Sequence, residues 1–194
     1  MPMARHKPQP LKQGDLDGLC GVYAIINSIR LALGEAERPF RRPDWEELFY
    51  SLLGSLDDDQ RTLGAVASGI GTKPFAKLIR TAVDHMRDDY EIALTIARLF
   101  PPGSKPKSRE AIRAIKHATA NGTPVIACFS GKLNHWSVVN KIGASNMSLF
   151  DSSTHRRIRL ANVRMAYEPS KSPPQYILQH SGLWCVALNG DGEP

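Results

Sequence analysis

The apolar residues of this chain change period near Tyr90. From Cys20 to Arg87 they recur at three- and four-residue steps, and from Glu91 to Leu188 they fall mostly in short continuous or alternating runs. The first pattern suits helices that bury one face, and the second suits strands. A chain that places its helices first and most of its strands afterwards lacks the strand–helix alternation of a parallel sheet. The expected fold class is therefore α+β, with a mostly antiparallel sheet.

The helices are expected at 20–33, 43–53, 61–70 and 74–87. In the first, Cys20, Ala24, Asn27 and Leu31 share one face, and Gly34 stops it. Pro43 followed by Asp44, Glu46 and Glu47 is a strong start for the second. Gly64 and Gly69 loosen the third, while Phe75, Leu78, Ile79, Ala82, Val83 and Met86 give the fourth an apolar face. A strand at 91–99 and an exposed Pro/Lys-rich loop at 101–107 follow. Ser108 caps a helix at 109–120, which Asn121-Gly122 ends. Strands are expected at 123–130, 135–143, 147–151, 158–160, 176–179 and 183–188, with 143–146 turning a hairpin. The whole of 1–194 reads as a single domain. It comprises an extended segment 1–14, a helical lobe 15–90 and a sheet lobe 91–190, with a cleft between the lobes.

With 194 residues, 42% of them hydrophobic, the chain can bury a core without disulfides. Its three cysteines cannot all pair with one another. Cys128 and Cys185 lie in apolar strand-like runs and read as buried free thiols. The polar N-terminus lacks the apolar stretch of a secretory signal, and no run is long enough to span a bilayer. A reducing, cytoplasmic location is expected, with secretion by a route that needs no signal left open. The net charge of +6 gathers at Arg38–Arg42 and at His155-Arg156-Arg157-Ile158-Arg159. The alternation at 157–160 reads as a strand with one solvated basic face. No zinc-finger, helix-turn-helix or RNP-like pattern accompanies it, so nucleic acid is not an expected partner, whereas an acidic protein is a possible one. No cluster has metal-ligand spacing, and neither metal nor cofactor is expected.

Three polar residues stand out by context. Cys20 lies between Gly18 and Gly21 at the start of the first helix, where unpaired N–H groups and the helix dipole favour a thiolate and can hold an oxyanion. His135 begins an apolar strand, Trp136-Ser137-Val138-Val139. Asp151 ends the next strand, sixteen positions on, and a hairpin that turns midway brings the two ends together across the ladder. A carboxylate accepting from the imidazole Nδ1–H fixes tautomer and orientation, and the imidazole then serves as base to the thiol. His155, His180 and His117 are weaker candidates for the base.

The runs Cys-Gly-Val-Tyr-Ala-Ile-Ile-Asn at 20–27, Asn-His-Trp-Ser-Val-Val at 134–139 and Leu-Phe-Asp-Ser-Ser at 149–153 resemble the papain-like cysteine peptidase superfamily. The resemblance implies a papain-like fold, with the nucleophile Cys20 on a central helix packed against the sheet, the base His135 at a strand start, and Asp151 orienting it. It also implies an oxyanion-hole amide from a glutamine before the nucleophile. Gln13 is the candidate, seven residues ahead of Cys20 and one more than the papain pattern. Asp17-Gly18-Leu19-Cys20 resembles the Asp-Gly-x-Cys motif of ovarian-tumour-type deubiquitinases, in which backbone amides build that hole and Asp15 or Asp17 shapes the loop. The Cys-Gly continuation is similar to bacterial peptidase-like members.

The expected activity is hydrolysis of a peptide or isopeptide bond in a protein or peptide substrate, through a Cys20 thioester. The same residues suit a glutamine deamidase or transglutaminase of the toxin type, and an inactive relative would be a binding module.

Overall fold

The structure, a computed structural model, describes residues 8–14, 18–34, 39–56, 59–169 and 175–189. Helix α1, Cys20–Leu33, is its axis. Val22, Ala24, Ile25, Ile26, Asn27, Ser28 and Ile29 are all buried, so the helix is enclosed on nearly every side. A helix apolar all round belongs inside a core. Helices α2 (Arg42–Gly54), α3 (Asp59–Ser68) and α4 (Thr72–Tyr90) follow it in the chain. Pro43 lies in the first turn of α2, where the Asp44 carboxylate accepts the Arg41 N–H. Helix α4 extends past the expected end at Arg87. Glu91 adopts a left-handed conformation (φ 56°), donating its N–H to Arg87 O, while Ile92 N–H reaches Met86 O. This closing motif satisfies the last carbonyls and delays the first strand.

Seven strands form one sheet: β1 (Leu94–Arg98), β2 (Val125–Gly131), β3 (His135–Ile142), β4 (Asn146–Phe150), β5 (Arg157–Arg159), β6 (Val163–Met165) and β7 (Tyr176–Leu188). The order is β1-β7-β2-β3-β4-β5, with β6 alongside β7. Every pairing is antiparallel except β6–β7. The fold is thus α+β, with five helices among the described residues and a largely antiparallel sheet.

Two apolar cores flank the sheet. Ile126, Trp136, Val138, Phe150 and Trp184 pack with α1–α4, whereas Val125, Ala127, Phe129, Val139 and Leu149 pack with Ala111 and Ile115 of α5 (Ser108–Ala120). The period-2 alternation of strand side chains divides β2 and β3 between the two cores. At α5 the expected cap is corrected. Lys107 is the N-cap residue, Glu110 accepts its N–H at 2.8 Å, and Ser108 hydrogen-bonds Glu168 instead.

Strand β7 is continuous where two strands were expected. It pairs Leu183 with Ala127 and Leu178 with Phe129, so 179–182 bulge opposite Cys128. Gly182 permits the close approach, because a Cβ there would lie 2.3 Å from the Cys128 Cβ. Arg157 and Arg159 are exposed around buried Ile158, giving the solvated basic face read from the sequence. No helix among the described residues is long and apolar enough to cross a membrane.

Candidate active site

Cys20 is the first residue of α1, and Leu19 precedes it with no side-chain cap. Tyr23 N–H donates to Leu19 O at 3.1 Å. The N–H groups of Cys20, Gly21 and Val22 therefore lie ahead of that first bond of the helical ladder, at the positive end of the dipole. The loop before them is packed closely. Gly18 N–H donates to Val66 O at 2.6 Å, and a Cβ on Gly18 would come within 2.6 Å of Gly69 N. The sulfur is nearly enclosed: Cys20 is 8% exposed, its Sγ accepts Trp136 N–H at 3.5 Å, and its thiol points to Gly18 O at 3.8 Å.

Trp136 fixes β3 against the helices. Its ring stacks on Phe75 at 3.7 Å between centroids, and its indole N–H donates to Ile70 O at 2.6 Å. The residue before it is His135, so the same anchor sets the imidazole beside the thiol. His135 Nε2 lies 3.0 Å from Asp151 Oδ2, and Cys20 lies close enough to the ring to help raise its pKa. Asp151 thus engages Nε2, the reverse of the Nδ1 contact expected from sequence.

Burial alone pushes the imidazole pKa down. The hydrogen bonds to Asp151 and Cys20, and the charges on those partners, outweigh burial and raise His135 to about 9. Asp151 is wholly buried. Burial raises its pKa, but hydrogen bonding and charge from His135, with the Ser153 hydroxyl, bring it down to about 2. Ser153 N–H also donates to Asp151 Oδ1 at 2.7 Å. The carboxylate is therefore held ionised against a protonated imidazole.

The hairpin register differs from the midway turn. Gly143 N–H donates to Asn146 O at 2.8 Å, and a bulge lies between Val139 and Lys141. Val138 then pairs with Phe150, which puts Asp151 opposite Ser137 rather than directly across from His135. His135 and Asp151 meet as diagonal neighbours, a distance that long side chains span.

Gln13 sits against the Asp151 loop. Its N–H donates to Ser152 O at 3.0 Å, and Ser152 Oγ donates to Gln13 Oε1 at 3.3 Å. Gln13 and His135 line one cavity of about 620 Å³. Asp15 and Asp17 lie outside the described residues.

Three residues that hold the site were not singled out for this work from sequence: Lys12, Asn27 and Trp136. Lys12 Nζ donates to Asp151 O at 3.1 Å and Ser153 O at 2.6 Å. Asn27, fully buried on α1, binds the backbone of Leu11. The signal for Asn27 was a polar residue inside an otherwise apolar helix. Lys12 and the Trp136 N–H had none, because each bond has a backbone atom at one end: carbonyl acceptors for Lys12 and the amide donor of Trp136.

The other histidines lie elsewhere. His155 Nδ1 is 2.9 Å from Ser153 Oγ, and its ring centroid is 6.1 Å from that of His135. His180 bonds Ser104 at 2.9 Å, and His117 is exposed on α5. Cys128 and Cys185 are free but only partly buried. Burial, and for Cys128 then the nearby Cys20, pushes their thiols up to about 12 and about 11. Among the described residues no group of three His, Cys, Asp or Glu could hold a metal. No protein-family model, curated protein or solved structure matches the chain.

Proposed function

We propose that the protein is a papain-like thiol hydrolase that cleaves a peptide or isopeptide bond. The observation that carries this reading is His135 hydrogen-bonded to the buried Asp151 and near enough to Cys20 for each to feel the other. The Cys20 thiolate attacks the substrate carbonyl carbon, forming an S–C bond and an oxyanion. The N–H groups at the start of α1 and the Gln13 amide are the donors for that oxygen. As the C–N bond breaks, His135 gives its Nδ1 proton to the leaving nitrogen, leaving a thioester on Cys20. His135 then takes a proton from water. The resulting hydroxide displaces the sulfur, releases the acid and returns the thiolate–imidazolium pair. Asp151 holds the ring by Nε2 throughout. The free thiols fit a reducing compartment, and we place the protein in the cytoplasm.

The test is to incubate a denatured, peptide-digested proteome with the wild-type chain and with Cys20→Ala, and to read the products by mass spectrometry. New peptide termini that only the wild type makes are the expected result. A mass change at glutamine without chain cleavage would make the protein a deamidase, and identical spectra from both proteins would defeat the hydrolase reading.

A further inference from the structure

The cavity beside His135 has one sign of charge. Lys12, Gln13, His135, Ser152, His155 and Arg156 line it, and the described lining includes no Asp or Glu. Its cations come from segments that hydrogen bonds hold together. Lys12 is tied to Asp151 O and Ser153 O, Gln13 to Ser152, and the Arg156 carbonyl accepts Leu149 N–H at 2.9 Å. The Arg156 side chain is therefore presented from a fixed backbone. Burial first, and then the Arg156 charge, lower the Lys12 pKa, so the two cations feel each other, with Asp151 opposing. Asp151 is spent on His135. The basic run seen in the sequence thus divides in two. Arg157 and Arg159 are exposed on β5, while His155 and Arg156, exposed as well, line the cavity.

Cationic groups lining one cavity of about 620 Å³ beside a reactive centre repel each other until an anion enters. Building on the hydrolase reading, we propose that this cavity is a subsite for a carboxylate on the leaving-group side of the scissile bond. The side follows from which residues line it. His135 lines the cavity and Cys20 does not. In the mechanism above, the acyl part stays on the sulfur and the α1 amides, whereas the leaving nitrogen collects its proton from His135. The leaving group therefore lies over the imidazole, next to Lys12 and Arg156. The carboxylate is either the side chain of an acidic leaving-group residue or the free chain terminus of the substrate.

The experiment uses the full chain carrying Cys20→Ala, isotopically labelled, and follows backbone amide shifts on titration with three probes. These are acetyl-glutamate α-amide, acetyl-alanine with a free α-carboxylate, and acetyl-glutamine α-amide. Saturable shifts at Gln13, Gly14 and 152–156 with a carboxylate probe, but not with the glutamine probe, are expected. The first probe assigns the side chain and the second the chain terminus. Arg156→Gln should weaken that binding about tenfold, which is about 1.4 kcal/mol, and Arg156→Lys should restore part of it, because the lost contact is a charge-assisted hydrogen bond. Equal shifts from the glutamine probe, no saturable shift from either carboxylate, or unchanged affinity in Arg156→Gln would overturn the subsite. The readout needs no turnover, so it stands even if the hydrolase reading fails. Conversely, peptide cleavage without enrichment of carboxylates on the leaving-group side would sink the subsite and leave the hydrolase intact.

Discussion

Asn27 grips the backbone of Leu11 from both sides: Leu11 N–H donates to Asn27 Oδ1 at 2.7 Å, and Asn27 Nδ2 donates to Leu11 O at 3.1 Å. Asn27 lies two turns along α1 from Cys20. The residues after Leu11 are Lys12 and Gln13, which bind the loop of Asp151. One helix therefore fixes both the thiol and the segment that steadies the carboxylate. Asn27→Ala leaves two backbone groups of Leu11 without their partners and should cost about 2–3 kcal/mol, since an unmade hydrogen bond in a buried place costs about 1–3 kcal/mol. Asn27→Asp keeps the acceptor but turns a carboxylate oxygen to the Leu11 carbonyl, and should be worse than Ala. Urea unfolding midpoints measure both, and an Asn27→Asp protein as stable as the wild type would refute the clasp.

Thiol labelling separates the three cysteines. Iodoacetamide at neutral pH should modify Cys20 before Cys128 or Cys185, whose thiols are raised to about 12 and about 11. The thiolate is the reacting form, and Cys20 has an imidazole and the Trp136 N–H beside its sulfur. His135→Ala should slow labelling of Cys20 and leave the other two unchanged. Equal Cys20 rates in wild type and variant, read by mass spectrometry of the labelled peptides, would mean that the imidazole does not activate the thiol.

Much of this arrangement was legible from the residues, and what was missed has physical causes. The helix at 20–33 was readable to its ends because Ile, Val and Ala leave no polar side and Gly34 stops it. The neighbourhood of His135 and Asp151 was readable because a hairpin must bring its arms together. Which atoms meet was not. The bulge between Val139 and Lys141 has no signature in Val139-Asn140-Lys141, yet it moves Asp151 by one position, to stand opposite Ser137. His180-Ser181-Gly182 broke the apolar run of β7, so one strand read as two; there the chain bulges but keeps pairing. Strand β6 has three residues, too few for any period to show.

The triad should give stability a pH dependence at both ends. His135 is raised from 6.5 to about 9, so its contribution is fully present below pH 6.5 and is lost as pH rises through 9. Asp151 is lowered from 3.8 to about 2, so its contribution is present above pH 3.8 and is lost as pH falls through 2. The wild-type unfolding midpoint should drop between pH 6.5 and 9 more steeply than that of His135→Gln, which has no proton to lose there. Parallel curves for the two proteins across that window would show that the pair adds nothing to stability.

Gln13 has its Oε1 accepting from Ser152 Oγ, which turns the Nε2 amide away from that contact. If that amide serves the oxyanion, Gln13→Ala should lower turnover about 10²- to 10³-fold, the usual cost of removing one oxyanion donor. Gln13→Glu, which can still accept from Ser152, should be no better than Ala. Turnover of Gln13→Ala equal to wild type would assign the oxyanion to the α1 backbone amides alone.

The sharpest separation of roles is at Asp151. Its carboxylate accepts from His135 Nε2, and Ser153 N–H holds its other oxygen at 2.7 Å. Nδ1 must be able to take the thiol proton, which requires the Nε2–H tautomer in the neutral ring. Asp151→Asn keeps the size and can keep the Ser153 contact through its carbonyl oxygen. That choice turns the NH₂ group toward Nε2, making Nε2 an acceptor and placing the ring proton on Nδ1, where it blocks the base. Turnover should fall by up to about 10⁴-fold with the fold intact, the penalty known for a wrongly held imidazole tautomer. Ser153→Ala should be much milder, because it removes one hydroxyl and leaves the backbone N–H. Imidazole nitrogen shifts from NMR check the tautomer directly. An Asp151→Asn protein whose ring keeps its proton on Nε2 and whose turnover stays near wild type would remove Asp151 from the orienting role.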